Sequence, residues 1–210
     1  MSESPDKIKI GILGLGGIAK NHIKAIEQNS HLFDLMAVCD KNARTLSDFN
    51  SSIATYTEYS EMLENKNLDL ISICTPSSVH SSQSIMAGKK DIHVITEKPM
   101  ALKLCDAKEM IDVFKKSTAK LFVVKQNRLN KNIKLLKEVI ANGILGKIHF
   151  VQSNVFWTRP QEYYDKETWR GTKEHDGGAL MNQASHYVDL LYWLFGPVKS
   201  LNALASTTRD

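Results

Sequence analysis

The chain has 210 residues, 42% hydrophobic and 24% charged, with 27 Lys plus Arg against 23 Asp plus Glu for a net charge of +4. The charges stand singly or in pairs such as Lys89-Lys90 and Lys115-Lys116; without a basic tract, we expect no nucleic-acid partner. No apolar run reaches the roughly 18 residues of a membrane span, and MSESPDK lacks the basic-then-apolar layout of a signal peptide, so we expect a cytoplasmic protein with no membrane partner.

From Lys7 to about Val124 short β-branched runs alternate with longer amphipathic ones. IKIGIL (8–13), DLMAVCD (34–40), DLISICT (69–75), IHVIT (92–96) and LFVV (121–124) predict strands, with a weaker one near Ile53 to Tyr56. Continuous apolar runs of this kind suit strands covered on both faces, and the segments between them, such as CDAKEMIDVFKK (105–116), have helical spacing. The pattern predicts a Rossmann-type, doubly wound parallel α/β domain over residues 1–124. Of Cys39, Cys74 and Cys105, two lie in apolar segments and none has CxxC spacing, so free thiols are expected and neither a disulfide nor a metal site.

The first strand runs into Gly14-Leu15-Gly16-Gly17-Ile18-Ala19, which fits GxGxxA and opens a helix. Gly14 permits the tight turn, Gly16 lets backbone approach a pyrophosphate, Ala19 lets the helix pack close, and the amides of Gly17, Ile18 and their neighbours face the phosphates. Asp40 ends the second strand, where its carboxylate could accept from the ribose hydroxyls of NAD and repel the 2′-phosphate of NADP. The alternative is that the glycines merely make a turn and Asp40 caps the helix beginning near Lys41. TPSSVH (75–80) ends the fourth strand at the same ligand edge, which makes Thr75, Ser77 and His80 candidate cofactor contacts; the competing view is that it only starts a helix.

ITEKP (95–99) ends the next strand, so Lys98 would point toward the nicotinamide end of the cofactor. An ammonium shielded from water would stabilise the oxygen of an alcohol losing hydride, and Glu97 could tune Lys98 or bind ribose. A salt-bridged surface turn is the alternative.

The pattern changes beyond Val124, which marks a boundary near 124–128. NKNIKLLKEVIANG (130–143) predicts a helix that Gly143 can end, KIHFVQSNVFWT (147–158) a long strand, GALMNQASHYVDLLYWLFG (178–196) a helix, and LNALAST (201–207) the start of a strand. Because that pattern stops mid-element, we expect residues 125–210 to be an incomplete second domain of a longer functional polypeptide. On the last helix Leu180, Ala184, Val188, Leu191 and Leu194 are expected to face a core, with Asn182, His186 and Asp189 on another face. An imidazole at His186 suits proton transfer at neutral pH, and Asn182 could orient the substrate or the ring; a structural histidine is the alternative. His22, His31, His80, His93, His149 and His175 share no ligand spacing with it, so no zinc site is expected.

Together GILGLGGIA, TPSSVH, EKP, WRG (169–171) and DGGALMNQASH (176–186) resemble the glucose–fructose oxidoreductase and inositol dehydrogenase group, Gfo/Idh/MocA. The resemblance implies an NAD-dependent sugar dehydrogenase whose Rossmann domain is joined to an α+β domain with an open, mainly antiparallel sheet that carries substrate and homo-oligomer contacts, as a dimer or tetramer. It implies catalytic roles for Lys98 and His186 and places Trp169 and Arg170 beside the cofactor. Asn182 stands where the group usually has Asp, which moves proton transfer onto His186 with Lys98. VKQNRLNK, VFWTRPQEYYDKETWRGT and MNQASHYVDLL are more narrowly similar to UDP-N-acetylglucosaminuronate dehydrogenases, which oxidise the sugar 3-hydroxyl in making bacterial surface polysaccharide. That likeness implies a nucleotide-sugar substrate and NADH that stays bound and is reoxidised by a 2-oxo acid. Arg128 and Arg159 could then bind carboxylate or diphosphate, and Tyr163, Tyr164 or Trp157 could stack on uracil, unless these aromatics only fill an interface between domains.

Overall fold

The structure is a computed structural model and describes residues 6–206. Thr207 of the predicted terminal strand and residues 1–5 of the opening segment lie outside the described residues. The chain divides into two compact units, one of residues 1–124 with 159–182 and the other of 125–158 with 183–210.

The first unit is built on six parallel strands in the order β3-β2-β1-β4-β5-β6: β1 Ile8–Leu13, β2 Phe33–Cys39, β3 Ala54–Tyr56, β4 Leu70–Ile73, β5 His93–Thr96 and β6 Leu121–Val123. The apolar runs become strands because both faces of the sheet are covered. Leu13, Ala37, Cys39, Ile71, Ile73 and Val94 form one core with Met62 and Phe114; Ile10, Ile12, Val38 and Leu70 form the other with Ala19 and Ile26. The helices are α1 Ala19–Gln28, the single turns α2 Ala43–Leu46 and α3 Tyr59–Met62, then α4 His80–Gly88 and α5 Leu104–Lys116. At Ile10/Gly11 the pairing of β1 with β2 shifts register. A side chain at Gly11 would run into Met62 and Leu68, so glycine lets α3 close over the sheet there. Reversal of strand order between β1 and β4 puts a crevice at their carboxyl ends, where ligands of open α/β sheets bind.

Cys39 and Cys74 are buried free thiols and Cys105 is an exposed one. Among the described residues no helix is long and apolar enough to cross a membrane, and no cluster of side chains has the makings of a metal site.

In the second unit α6 runs Lys131–Ala141, capped by the Asn130 side chain accepting from the Asn132 amide and ended by Gly143 at φ +69°. The short α7, Gln161–Asp165, belongs to the segment that returns to the first unit. The predicted helix over 178–196 forms, but with a wide π turn at Leu180–Ala184 before the regular α8, Ser185–Phe195. Of the residues expected to face a core, Leu180, in that turn, and Val188 are exposed while Leu194 is buried; Val188 and Leu194 stand six residues apart on the regular α8 and so point in different directions. Two predicted strands do not form: residues 147–158 and the described part of 201–207 carry no ladder, so the open antiparallel sheet is not seen among the described residues. A strand exists through its partner, and a β-rich run with none remains irregular backbone.

Met110 on α5 is fully buried, whereas Leu135 on α6 is 58% exposed. Met110→Ala should therefore lower the unfolding free energy by about 2–5 kcal/mol, and Leu135→Ala by no more than about 0.5 kcal/mol, as read from urea denaturation followed by circular dichroism.

Candidate active site

The glycine turn forms as its spacing requires. Gly14 sits at φ +86°, its amide donates to the Cys39 carbonyl at 2.8 Å, and a Cβ there would lie 3.0 Å from the backbone of Cys74 and Thr75. A Cβ on Gly16 or Gly17 would meet nothing within 4 Å, and among the described residues the amides of Gly16, Gly17 and Ile18 donate to no protein acceptor. Open space over unpaired amides at the start of α1 fits a dinucleotide pyrophosphate. Asp40 Oδ2 accepts from the Leu15 amide at 2.7 Å and Oδ1 from the Asn42 amide at 2.8 Å. Asp40 thus fastens the glycine turn to the end of β2 and does not cap the helix expected near Lys41, since α2 begins at Ala43 and the Asn42 side chain caps it, accepting from the Arg44 amide at 3.1 Å; each Asp40 oxygen keeps a lone pair for a further donor.

His80 joins two of the predicted ligand loops. Its Nε2 lies 2.8 Å from the Thr75 carbonyl and its Nδ1 2.8 Å from the Pro99 carbonyl, with the ring fully buried. Burial lowers its pKa against the pull of the two carbonyls, and a neutral ring donates to one of them at a time. Thr75 Oγ1 donates to Gln83 Oε1 at 2.6 Å, and Ser77 is buried in the turn Ser77–Val79. These placements make His80 a buttress between loops, with Thr75 and Ser77 in the connection between β4 and α4.

The EKP segment is not a surface turn. Glu97 is 7% exposed; its Oε1 lies 3.0 Å from His22 Nε2 and its Oε2 accepts from the Lys98 amide at 3.1 Å. His22 Nδ1 in turn lies 2.8 Å from Ser72 Oγ, a fully buried hydroxyl on β4. Burial alone would raise the Glu97 carboxyl, but the hydrogen bonds from His22 and the Lys98 amide, with the charges of both residues, hold it below its usual range. Burial likewise opposes charge on His22, yet Cys74 and Glu97 beside it raise its pKa to about 10. The pair is therefore an imidazolium and a carboxylate that tie α1 to the loop carrying Lys98. The Lys98–Pro99 peptide is cis. Lys98 Nζ donates to the Asn182 carbonyl at 2.7 Å and to Asn182 Oδ1 at 3.1 Å. The Asn182 amide nitrogen donates to Asp176 Oδ1, and Asp176 Oδ2 accepts from the Gly171 amide at 2.8 Å.

Arg159 and Arg170 both stack on Tyr163, their guanidinium carbons 4.6 and 4.3 Å from the ring centre, and Arg170 also lies 5.5 Å from Trp169. Tyr163 packs edge-on against Tyr164, centroids 5.2 Å apart. The Tyr163 ring offered above to a base is thus already stacked by arginine within its own unit. In the second unit Arg128 grips Asp189 with both prongs, Nε to Oδ2 at 2.8 Å and Nη2 to Oδ1 at 2.6 Å, with Lys125 3.7 Å from the same carboxylate. The fork expected to bind a substrate anion holds this helix carboxylate instead. Its hydrogen bond raises the Arg128 pKa; at Asp189 burial pushes up, and the two cations prevail to lower it. His186 is half-buried in the first turn of α8, and Trp157 meets Tyr187 edge-on at 6.4 Å. Asn182 lies in the π turn rather than on one α face with His186.

Sequence reasoning missed His22, Ser72 and Asp176. The signal for two of them was a polar residue on an apolar surface: His22 beside the core stripe of Ala19, Ile23 and Ile26, and Ser72 inside LISIC. Asp176 carried no periodic signal.

Comparison with known proteins matches residues 8–125 to an oxidoreductase family, GFO/IDH/MocA, described as an NAD-binding Rossmann fold, and residues 133–210 to the GFO/IDH/MocA C-terminal domain. The chain is 31% identical over 147 residues to myo-inositol 2-dehydrogenase of Thermotoga maritima, covering 69% of this chain and 44% of that protein. D-glucoside 3-dehydrogenase of Escherichia coli is 26% identical over 208 residues, 97% of this chain and 58% of that one. Among solved structures, the WlbA dehydrogenase of Bordetella pertussis in complex with NADH and UDP-GlcNAcA is 46% identical with a TM-score of 0.88, over 91% of this chain and 59% of that one. The WlbA dehydrogenase of Chromobacterium violaceum, with the same ligands, is 44% identical with a TM-score of 0.88, over 94% and 57%. The chain spans about half the length of the curated relatives it matches.

The His22–Glu97 pair predicts a two-sided pH dependence of stability. Glu97 has a lower pKa folded than unfolded, so its contribution is present above about pH 4.3 and lost as pH falls through the folded value. His22 has a higher pKa folded, so its contribution is complete below about pH 6.5 and lost as pH rises toward about 10. Thermal unfolding between pH 7 and 10 should show a declining melting temperature that His22→Gln flattens; an unchanged decline in that variant would mean the pair carries no such charge.

Proposed function

Because the chain belongs to the GFO/IDH/MocA oxidoreductase family, whose NAD-binding Rossmann fold spans residues 8–125, we propose that the protein uses NAD to oxidise the 3-hydroxyl of UDP-N-acetylglucosaminuronic acid, in the synthesis of a surface polysaccharide. The observation that carries the reading is Lys98 at the carboxyl end of β5, its ammonium held by Asn182. Support for the particular sugar comes from the 46% and 44% identity to dehydrogenases whose structures hold NADH and UDP-GlcNAcA.

NAD, when bound, accepts the hydride. Gly16, Gly17 and Ile18 would receive its pyrophosphate through their amides, over the tight turn that Gly14 permits, Asp40 would take its adenosine ribose, and Trp169 with Arg170 would lie beside it. Lys98 stabilises the negative charge that grows on the sugar oxygen, since a fixed ammonium needs no reorganisation as that charge develops. We assign His186 the alcohol proton, which it accepts as a neutral imidazole. Arg159 would meet the carboxylate or diphosphate of the substrate, for which Arg128 is less suited while Asp189 holds its fork. The second domain, 125–210, would carry substrate specificity and the contacts of a homo-oligomer. A second reading, oxidation of a cyclitol or another sugar, is favoured by the 31% identity to myo-inositol 2-dehydrogenase.

Nucleotide sugars, free sugars and inositols incubated with NAD and scored by NADH absorbance test the proposal; turnover of myo-inositol or a free sugar in preference to UDP-N-acetylglucosaminuronate overturns it. Lys98→Met and His186→Asn should each lower turnover by about two to four orders of magnitude, with NAD affinity preserved in calorimetry. NAD should bind at least about tenfold tighter than NADP, because the Asp40 carboxylate opposes a 2′-phosphate.

A further inference from the structure

We propose that Asp176 is a positioning residue for Lys98: it fixes the direction of the Asn182 amide and supplies the counter-charge that the ammonium feels across it. The inference rests on the reading of Lys98 as the charge stabiliser. It is carried by a chain of three groups in the first unit. The ammonium donates to Asn182 Oδ1 at 3.1 Å, the amide nitrogen of Asn182 donates to Asp176 Oδ1, and Asp176 Oδ2 is held by the Gly171 amide at 2.8 Å. Asp176 is 3% exposed and Asn182 is 9% exposed, so water cannot substitute for these partners.

The directions in this chain are forced. An ammonium can only donate and a carboxylate can only accept, while the amide between them has one end of each kind. With Asp176 ionised, a single orientation of Asn182 satisfies both neighbours; the flipped amide would set its NH₂ against the ammonium and its oxygen against the carboxylate. The carboxylate thereby aims the Asn182 oxygen at Lys98 and polarises it, because hydrogen bonds to ionised groups strengthen those further along. The Asn182 carbonyl, 2.7 Å from the same ammonium, adds a second acceptor whose position depends on the same residue. Asp176 also fastens the turn after Trp169-Arg170, since its backbone amide donates to the Thr172 carbonyl at 3.0 Å. One buried charge thus connects the residues expected beside the cofactor with the residue expected to act on the substrate.

This arrangement makes the placement of the carboxylate a matter of sign. Asn182→Asp alone would set two carboxylates against each other beside one ammonium, which drives one of them to take up a proton. Asp176→Asn alone removes the charge and faces the Asn182 NH₂ with a side chain no longer an obligate acceptor. The double variant, Asp176→Asn with Asn182→Asp, restores an ionised acceptor on Lys98 and a donor behind it.

The test is a pair of cycles on the whole chain. In thermal unfolding without substrate, Asp176→Asn should lower the melting temperature by about 4 °C in the parent and by less than half of that in a Lys98→Met background, where the buried carboxylate has already lost its counter-charge. Equal shifts in both backgrounds overturn the proposal, whether or not the protein oxidises a sugar. In turnover, Asp176→Asn and Asn182→Asp should each reduce kcat about ten- to hundredfold, and the double variant should recover at least about tenfold over the lower single. A double variant no faster and no more heat-stable than the lower single also overturns it, and that comparison survives if Asp176→Asn alone folds poorly. Coupled melting with no oxidation of any sugar would leave Asp176 in place and refute the proposed activity instead.

Discussion

A buried carboxylate has to be answered by donors, and the site hangs on how Glu97 is answered. Its two oxygens take His22 from the helix after the glycine turn and the amide of Lys98 from its own loop. Removing either partner would leave a charge in a medium that solvates it poorly, a loss of several kcal/mol in typical proteins. Because the partners come from α1 and from the end of β5, the pair holds together two elements that the sequence separates by 75 positions. The same demand recurs at Asp40, answered by amides on the glycine turn and after β2, and at Asp176, answered by Gly171 and Asn182. Each carboxylate closes one loop at the ligand edge of the sheet, and none is satisfied by its own loop alone.

Backbone sterics set the frame in which these charges meet. At Gly14 a left-handed φ and the nearness of Cys74 and Thr75 leave no room for a side chain, so the β1 turn and the β4 turn are in contact through main chain. His80 then bridges the β4 turn to Pro99. The three turns that would surround a dinucleotide are consequently braced against one another by main chain at Gly14 and by the His80 ring, which is the support that accurate placement of a reacting side chain requires.

The first unit was legible because its signals are local and redundant. Five of the strands follow from uninterrupted apolar runs, and the glycine turn follows from spacing plus its place after a strand. The second unit was less so, because the run HFVQSNVFW has β-forming residues but a strand is a relation between segments, and propensity does not supply the partner. The π turn escaped for a related reason: Leu180, Ala184 and Val188 satisfy helical spacing on paper, and the extra residue per turn leaves no mark in composition. Lys98 was found from the chemistry of a strand end. What holds it was not, since Asp176 and Asn182 reach it across more than 75 residues of sequence and only folding brings the three together.

The chain passes from one unit to the other three times, after Val124, after Thr158 and after Asn182. Family boundaries drawn at residue 125 or 133 suggest that cutting there would release the nucleotide fold intact. All six strands would come away together, but the cut would carry off residues 159–182, and with them both groups of Asn182 to which the Lys98 ammonium donates. Lys98 would lose its two Asn182 acceptors in such an excision, so the smallest piece of this sequence that can keep its site is longer than the smallest piece that can keep its sheet.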